Sequence, residues 1–269
     1  MFRDITLGQF YQADSVIHKL DPRTKLFATF LWIASLFVMN HFSGYLAALL
    51  FLILTVRLST VPFRFIVKGM RSVFFLLCIT ILFNLFLTPG EPLYTFWVFA
   101  ITKEGIRTAA FMGLRLAFLI IGSSLMTLTT TPNDLTDGLE SILAPLKVVR
   151  FPVHEMSMMM SIALRFIPIL LEETDKIMKA QQARGADFES GGLLQRIKAL
   201  VPLLVPLFIS AFRRANDLAM AMEARCYQGG EGRTKMKPLR YQAIDAVAAL
   251  VCMLYIAAAL AVGRFLPFP

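Results

Sequence analysis

Two arginines in this chain stand in the same short frame. Arg184 follows Ala180-Gln-Gln-Ala183 and precedes Gly185; Arg225 follows Ala221-Met-Glu-Ala224 and precedes Cys226. A guanidinium is a rigid planar fork that pairs bidentately with a carboxylate. Small alanine neighbours clear room beside it, so an arginine in this frame suits an acidic groove on another protein. The alternative needs no partner: an arginine in the last turn of a helix is favoured by the helix dipole by about 0.3–1 kcal/mol. Little other chemistry is on offer. No Gly-x-x-x-x-Gly-Lys-Ser/Thr loop is present, so the chain has no cradle for ATP phosphates. His18, His41 and His154 are scattered, and no Gly-x-Ser-x-Gly elbow occurs. Cys78, Cys226 and Cys252 have no spacing that favours a disulfide or a metal site. Neither a catalytic group nor a cofactor site is expected.

The elements that must carry the two arginines are helices. Val153 to Arg184 reads as one long helix, about 48 Å at 1.5 Å per residue. Met156, Met159, Ala163, Phe166, Ile167, Leu170, Ile177 and Met178 recur mostly three or four apart along it, which is one apolar stripe. Leu193 to Cys226 reads as a second, about 50 Å long, with Ile197, Leu200, Leu204, Leu207, Phe208, Phe212, Leu218 and Met222 as its stripe. Pro168, Pro202 and Pro206 are expected to kink them. Gly185 and Gly229-Gly230 are plausible stops, and Gly185 opens the linker Gly-Ala-Asp-Phe-Glu-Ser-Gly-Gly. Each arginine is thus expected at the C-terminal tip of a long amphipathic helix. The repetition covers only the last two turns. The Met156–Ser161 run, Met-Ser-Met-Met-Met-Ser, has two readings: packing against membrane helices, or an adaptable surface that re-packs against partners.

The remainder is strongly apolar. Of the 269 residues, 57% are hydrophobic and 17% charged, and the mean hydropathy is +0.65. That composition belongs to a polytopic membrane protein rather than a soluble domain. The net charge of +9 is then read as cytosolic loops rather than as a nucleic-acid surface, and no nucleic-acid partner is expected. Residues 26–56, 72–90, 116–133 and 246–263 contain no Lys, Arg, Asp or Glu. A span needs about 20 apolar residues. The run at 26–56 is broken by Asn40-His41-Phe42-Ser43-Gly44, so it reads as two short helices with a tight turn, or as one long tilted helix. Segments 64–88, 105–129 and 242–263 complete about five transmembrane helices. Trp97 and Tyr94, in a 92–102 segment too short to cross, suit the outer interface. The polar N-terminus has no apolar core and is not read as a signal peptide.

Lys and Arg near the span ends set the orientation. Lys19, Arg23 and Lys25 precede the first span; Arg57, Arg64, Lys68 and Arg71 lie between the second and third; Arg233, Lys235, Lys237 and Arg240 precede the fifth. The expected topology is a multi-pass cell-membrane protein with its N-terminus cytosolic and its C-terminus outside. Residues 131–240 hold 15 of the 27 Lys and Arg and 12 of the 18 Asp and Glu. They read as a cytosolic insert, opened by Thr131 as a cap and Pro132 in the first turn. Pro145 and Pro152 then bound a short connector. The expected organisation is therefore residues 1–130 with four spans, 131–240 as a cytosolic domain of long amphipathic helices, and 241–269 with the last span. Within the spans Arg115 is the best candidate for an internal polar role, and Asp245 opens the fifth.

These features resemble one family. The opening Gly8–Leu26 and the pair Ala183-Arg184-Gly185 and Ala224-Arg225-Cys226, on long helices of a five-span protein, look like the transmembrane T component of energy-coupling factor transporters, the family that includes the cobalt transport protein Q type. The resemblance covers nearly the whole chain. It implies that the two tripeptides are the tips of two coupling helices, where the second usually ends in a small residue, often glycine; Cys226 stands there in this chain. It further implies partners that supply what the chain lacks. Two ABC-type ATPase subunits would bind the ATP and receive Arg184 and Arg225. A membrane-embedded S component would bind the vitamin or transition metal, held on apolar helix faces that include Met156, Met159, Met160, Leu204 and Phe208. The chain itself would be a non-catalytic scaffold. A stand-alone secondary transporter with Arg115 in its pathway is the competing expectation.

Overall fold

The computed structural model describes residues 10–39, 41–96, 99–186, 188, 192–230, 234 and 236–265. The chain folds into two compact units, one from the described residues of 8–141 and 239–269, the other from those of 142–238.

The first unit is a helical bundle. Its helices are α1 (Pro22–Val38), α2 (Phe42–Ser59), α3 (Phe63–Leu87), α4 (Lys103–Thr129), α5 (Pro132–Leu143) and, at the far end of the sequence, α8 (Ala243–Phe265). The apolar run at 26–56 is two helices: α1 stops where Met39 turns extended, and α2 starts after His41, whose carbonyl accepts the N–H of Gly44 at 3.2 Å. Asp21 starts α1 by accepting the Arg23 N–H at 2.9 Å, with Pro22 as the first helical residue. Thr131 caps α5 as its sequence promises, accepting the Asp134 N–H at 3.1 Å.

Aromatic packing joins four of these helices. Trp32 of α1, Phe51 of α2 and Tyr255 of α8 stack, with Phe51 and Tyr255 centroids 4.4 Å apart. The Trp32 indole N–H donates to the Phe118 carbonyl of α4 at 3.3 Å. Gly122 permits this approach, since any Cβ there would collide with the indole. A second cluster, Val61, Ile66, Leu125 and Leu128, joins the α2–α3 connection and the start of α3 to the end of α4.

A buried polar knot ties one end of the bundle. The Asp245 carboxylate accepts the N–H of Gln242, which caps α8, and the N–H of Asp21, which caps α1, both at 2.8 Å. Lys25 Nζ donates to the Thr129 carbonyl at the end of α4 at 2.8 Å and to the His18 carbonyl at 3.1 Å. The starts of α1, α3 and α8 and the ends of α2 and α4 therefore share one end of the bundle, so its long helices alternate in direction.

Among the described residues, four helices are long and apolar enough to cross a membrane by length and composition: α2, α4, α8 and α6 (Val153–Ala183). A fifth qualifies if the two parts of α3, Phe63–Arg71 and Val73–Leu87, set at 63°, count as one span. An all-α polytopic membrane protein is what these helices define. Two details differ from the expected spans. The 17 residues of α1 rise only about 26 Å against a hydrocarbon core of about 30 Å. Helix α6, expected as an amphipathic helix of the 131–240 insert, is apolar enough to qualify because its first half carries few charges. The all-helical expectation has one exception among the described residues. Pro92–Phe96 (β1) and Phe99–Thr102 (β2) pair antiparallel, with Tyr94 opposite Ile101. Trp97, expected at the outer interface beside Tyr94, lies outside the described residues. Thr102 ends the hairpin and caps α4, accepting the Gly105 N–H at 2.9 Å.

The second unit consists of a 3-10 turn (Ala144–Val149), α6, and α7 (Leu193–Ala224). Pro168 lies inside α6 and Pro202 and Pro206 inside α7, and none of them ends its helix. Ala211, Ala215 and Ala219 repeat every fourth residue on α7 and line a narrow cleft opposite Ile162, Phe166 and Leu170 of α6. Small residues in that rhythm let two helix backbones approach closely. Arg214 of α7 reaches Glu173 of α6 at 3.5 Å.

Candidate functional site

The two arginine frames end their helices in the same way. At the end of α6, Gly185 N–H donates to the Gln182 carbonyl at 2.9 Å and Ala186 N–H to the Gln181 carbonyl at 3.0 Å. At the end of α7, Cys226 N–H donates to the Glu223 carbonyl at 2.8 Å and Tyr227 N–H to the Met222 carbonyl at 3.0 Å. Each is a Schellman motif, which needs a left-handed residue just past the helix cap. Gly185 and Cys226 supply it, at φ +89° and +57°. Arg184 and Arg225 therefore occupy the identical position, the cap itself.

That geometry presents both side chains outward. Ala183, Arg184, Gly185, Ala224, Arg225 and Cys226 are all exposed. Neither guanidinium has an ion pair or a side-chain hydrogen bond among the described residues. A fork held on a helix tip, beside a methyl side chain and without a partner among the described residues, is suited to a carboxylate supplied from outside. The dipole accounts for a positive charge at each tip, but not for two matched caps with one φ-positive residue placed alike.

Met156, Met159 and Met160 of α6 and Leu204 and Phe208 of α7 are exposed as well, Phe208 to 61% and Met159 to 57%. Apolar side chains so exposed on two long helices form a surface able to accept an apolar partner.

Arg115 is occupied. Its Nε donates to the Tyr45 hydroxyl at 3.0 Å and Nη2 to the Met39 carbonyl at 3.2 Å, and it lies against the Phe111 and Phe37 rings at 5.3 and 5.5 Å. Those contacts tie α4 to the break between α1 and α2. The knot of Asp21, Lys25, Thr129 and Asp245 was not legible beforehand. Its only sequence signal is a charge placed just where each span begins.

A helical, multi-pass membrane protein is the class these features define. The chain belongs to the CbiQ family, described as cobalt transport protein, whose model matches residues 13–236 and so includes both arginine tips. Similar curated relatives are energy-coupling factor transporter transmembrane proteins EcfT. That of Clostridium kluyveri is 53% identical over 95% of this chain and 96% of its own length. That of Thermosediminibacter oceani is 52% identical, covering 98% and 99%. That of Bacillus subtilis is 47% identical, covering 97% and 98%.

Proposed function

We propose that this chain is the non-catalytic scaffold of an energy-coupling factor importer, joining two ABC-type ATPase subunits to a substrate-binding S component that takes up a vitamin or a transition metal. The observation that carries it is the matched pair of arginine caps. Each tip enters a groove on one ATPase, where a carboxylate receives the guanidinium fork. ATP is bound and hydrolysed in those partners. Closure of the ATPase pair moves the tips of α6 and α7. Ile162, Phe166 and Leu170 line one cleft with the alanine face of α7, and Arg214 of α7 reaches Glu173 of α6; in this scheme the two helices move together as a lever. The exposed apolar faces at Met156, Met159, Met160, Leu204 and Phe208 hold the S component.

The same scheme places α6 and α7 outside the hydrocarbon layer on the cytosolic side. The knotted end of the bundle carries Lys19, Arg23 and Lys25, and Arg57, Arg64 and Lys68 lie around the α2–α3 connection. By the positive-inside rule that end is cytosolic, which makes the N-terminus cytosolic too. The test is co-purification with the two ATPases from cells expressing all components. The wild-type chain retains them; the Arg184→Ala, Arg225→Ala double variant, still folded and in the membrane, loses them. A double variant that assembles and supports uptake normally sinks the docking role.

A further inference from the structure

The 3-10 turn between α5 and α6 presents an unbroken exposed stretch. All eight residues from Pro145 to Pro152 are exposed, and Val148 and Val149 are 88% and 77% accessible. Two valines so bare at a turn tip are unlike the scattered apolar residues of an ordinary surface. The turn is nonetheless well defined. Arg150 N–H donates to the Lys147 carbonyl at 3.0 Å and Phe151 N–H to the Leu146 carbonyl at 3.3 Å, with Arg150 held at φ +59°. Lys147 and Arg150 flank the valines, and no Asp or Glu occurs between Glu140 and Glu155.

Helix α5, which precedes the turn in the chain, packs within the bundle. Gly138 of α5 lies against Pro22 and Leu26 in the first turn of α1, so closely that a Cβ there would sit 3.0 Å from the Pro22 Cβ. Leu143, five residues on, is about 8 Å further along the helix. The turn follows directly on α5 in the chain.

We propose that this turn is a membrane-interface anchor: Val148 and Val149 insert into the headgroup layer and Lys147 and Arg150 pair with the phosphates of anionic lipids. Apolar side chains at the tip and cations at its rim are the chemistry that an anionic bilayer surface recognises. A purely apolar protein partner would leave the two cations without a counter-charge. Anchoring would give α6 a fixed point at its N-terminal end while its arginine tip moves.

The test uses the full chain in vesicles without other proteins. An environment-sensitive fluorescent amino acid is placed at Val149, and in a second protein at Val148. In vesicles of phosphatidylcholine with phosphatidylglycerol, lipids brominated about 5–10 Å below the phosphates are expected to quench both probes, while aqueous iodide is not. The Lys147→Gln, Arg150→Gln variant, or phosphatidylcholine alone, is expected to shift both probes toward iodide quenching. Probes open to iodide in the anionic vesicles overturn the proposal. So does protection that arises only when ATPases or S component are added, since the turn would then be a protein contact. Equal protection in both lipids and in the charge-neutral variant removes the anionic-lipid assignment. None of these readouts depends on ATPase capture by Arg184 and Arg225, so the two proposals fail separately.

Discussion

Gly185 and Cys226 hold the same backbone state. Each sits one residue past its arginine at positive φ, and each closes the same pair of hydrogen bonds over the last turn of its helix. Glycine adopts that state freely, whereas a residue with a Cβ is strained there by roughly 1–2 kcal/mol. The α7 tip therefore keeps its shape at a cost that the α6 tip does not bear.

Cys226→Gly should relieve that strain. We expect a gain of about 1 kcal/mol, partly offset by the greater freedom of glycine in the unfolded chain, and a rise in Tm of about 2–3 °C. Thermal unfolding of the detergent-solubilised chain measures it. ATPase capture should be unchanged, because Arg225 keeps its position. A lowered Tm would mean that the thiol makes a contact that outweighs the strain.

Arg184→Lys and Arg225→Lys keep the charge but lose the planar fork. If each guanidinium pairs bidentately with a carboxylate, each single variant should bind the ATPases about tenfold more weakly, in line with the ~1.5–3 kcal/mol of a charge-assisted hydrogen bond. Binding of purified ATPases to the chain in nanodiscs reports the ratio. Lysine variants that bind as tightly as wild type would reduce both tips to simple positive charges serving the helix dipole.

Asp245→Asn should loosen the knotted end of the bundle. Both carboxylate oxygens accept a backbone N–H, from Asp21 and Gln242, and Asp245 is buried. An asparagine turns one of those oxygens into an NH2 group facing an N–H, which strands a buried donor at a cost of about 1–3 kcal/mol. Hydrogen exchange at the Asp21 and Gln242 amides should accelerate, and Tm should fall by several degrees. Unchanged exchange at both amides would remove the clasp from the account.

Arg115 distinguishes a coupling scaffold from a transporter with its own ion pathway. Its donors are engaged by Tyr45 and the Met39 carbonyl, so Arg115→Met should cost about 1–3 kcal/mol of stability and leave uptake per folded molecule intact in the reconstituted complex. Loss of uptake at normal protein levels, with ATPase activity preserved, would instead put Arg115 on a transport route.

The sequence by itself determined the helices and their tips. The three-to-four spacing of apolar residues from Met156 to Met178 and from Ile197 to Met222 located α6 and α7 within two residues. Gly185 stops α6 as expected, since the signals that stop a helix lie within a turn of its end, but Gly229-Gly230 does not stop α7, which ends at Ala224 with Cys226 as the left-handed residue. The break at 40–44 was legible for the same reason. Tertiary structure alone decided the rest. Nothing near Cys226 announces a left-handed cysteine; the Schellman bonds impose it. Asp21 and Asp245 are 224 positions apart, and only the packing of α1 beside α8 brings an unpaired N–H to a carboxylate already capping its own helix. Local chemistry is written in neighbouring residues, while a clasp between distant ones exists only once the helices have met.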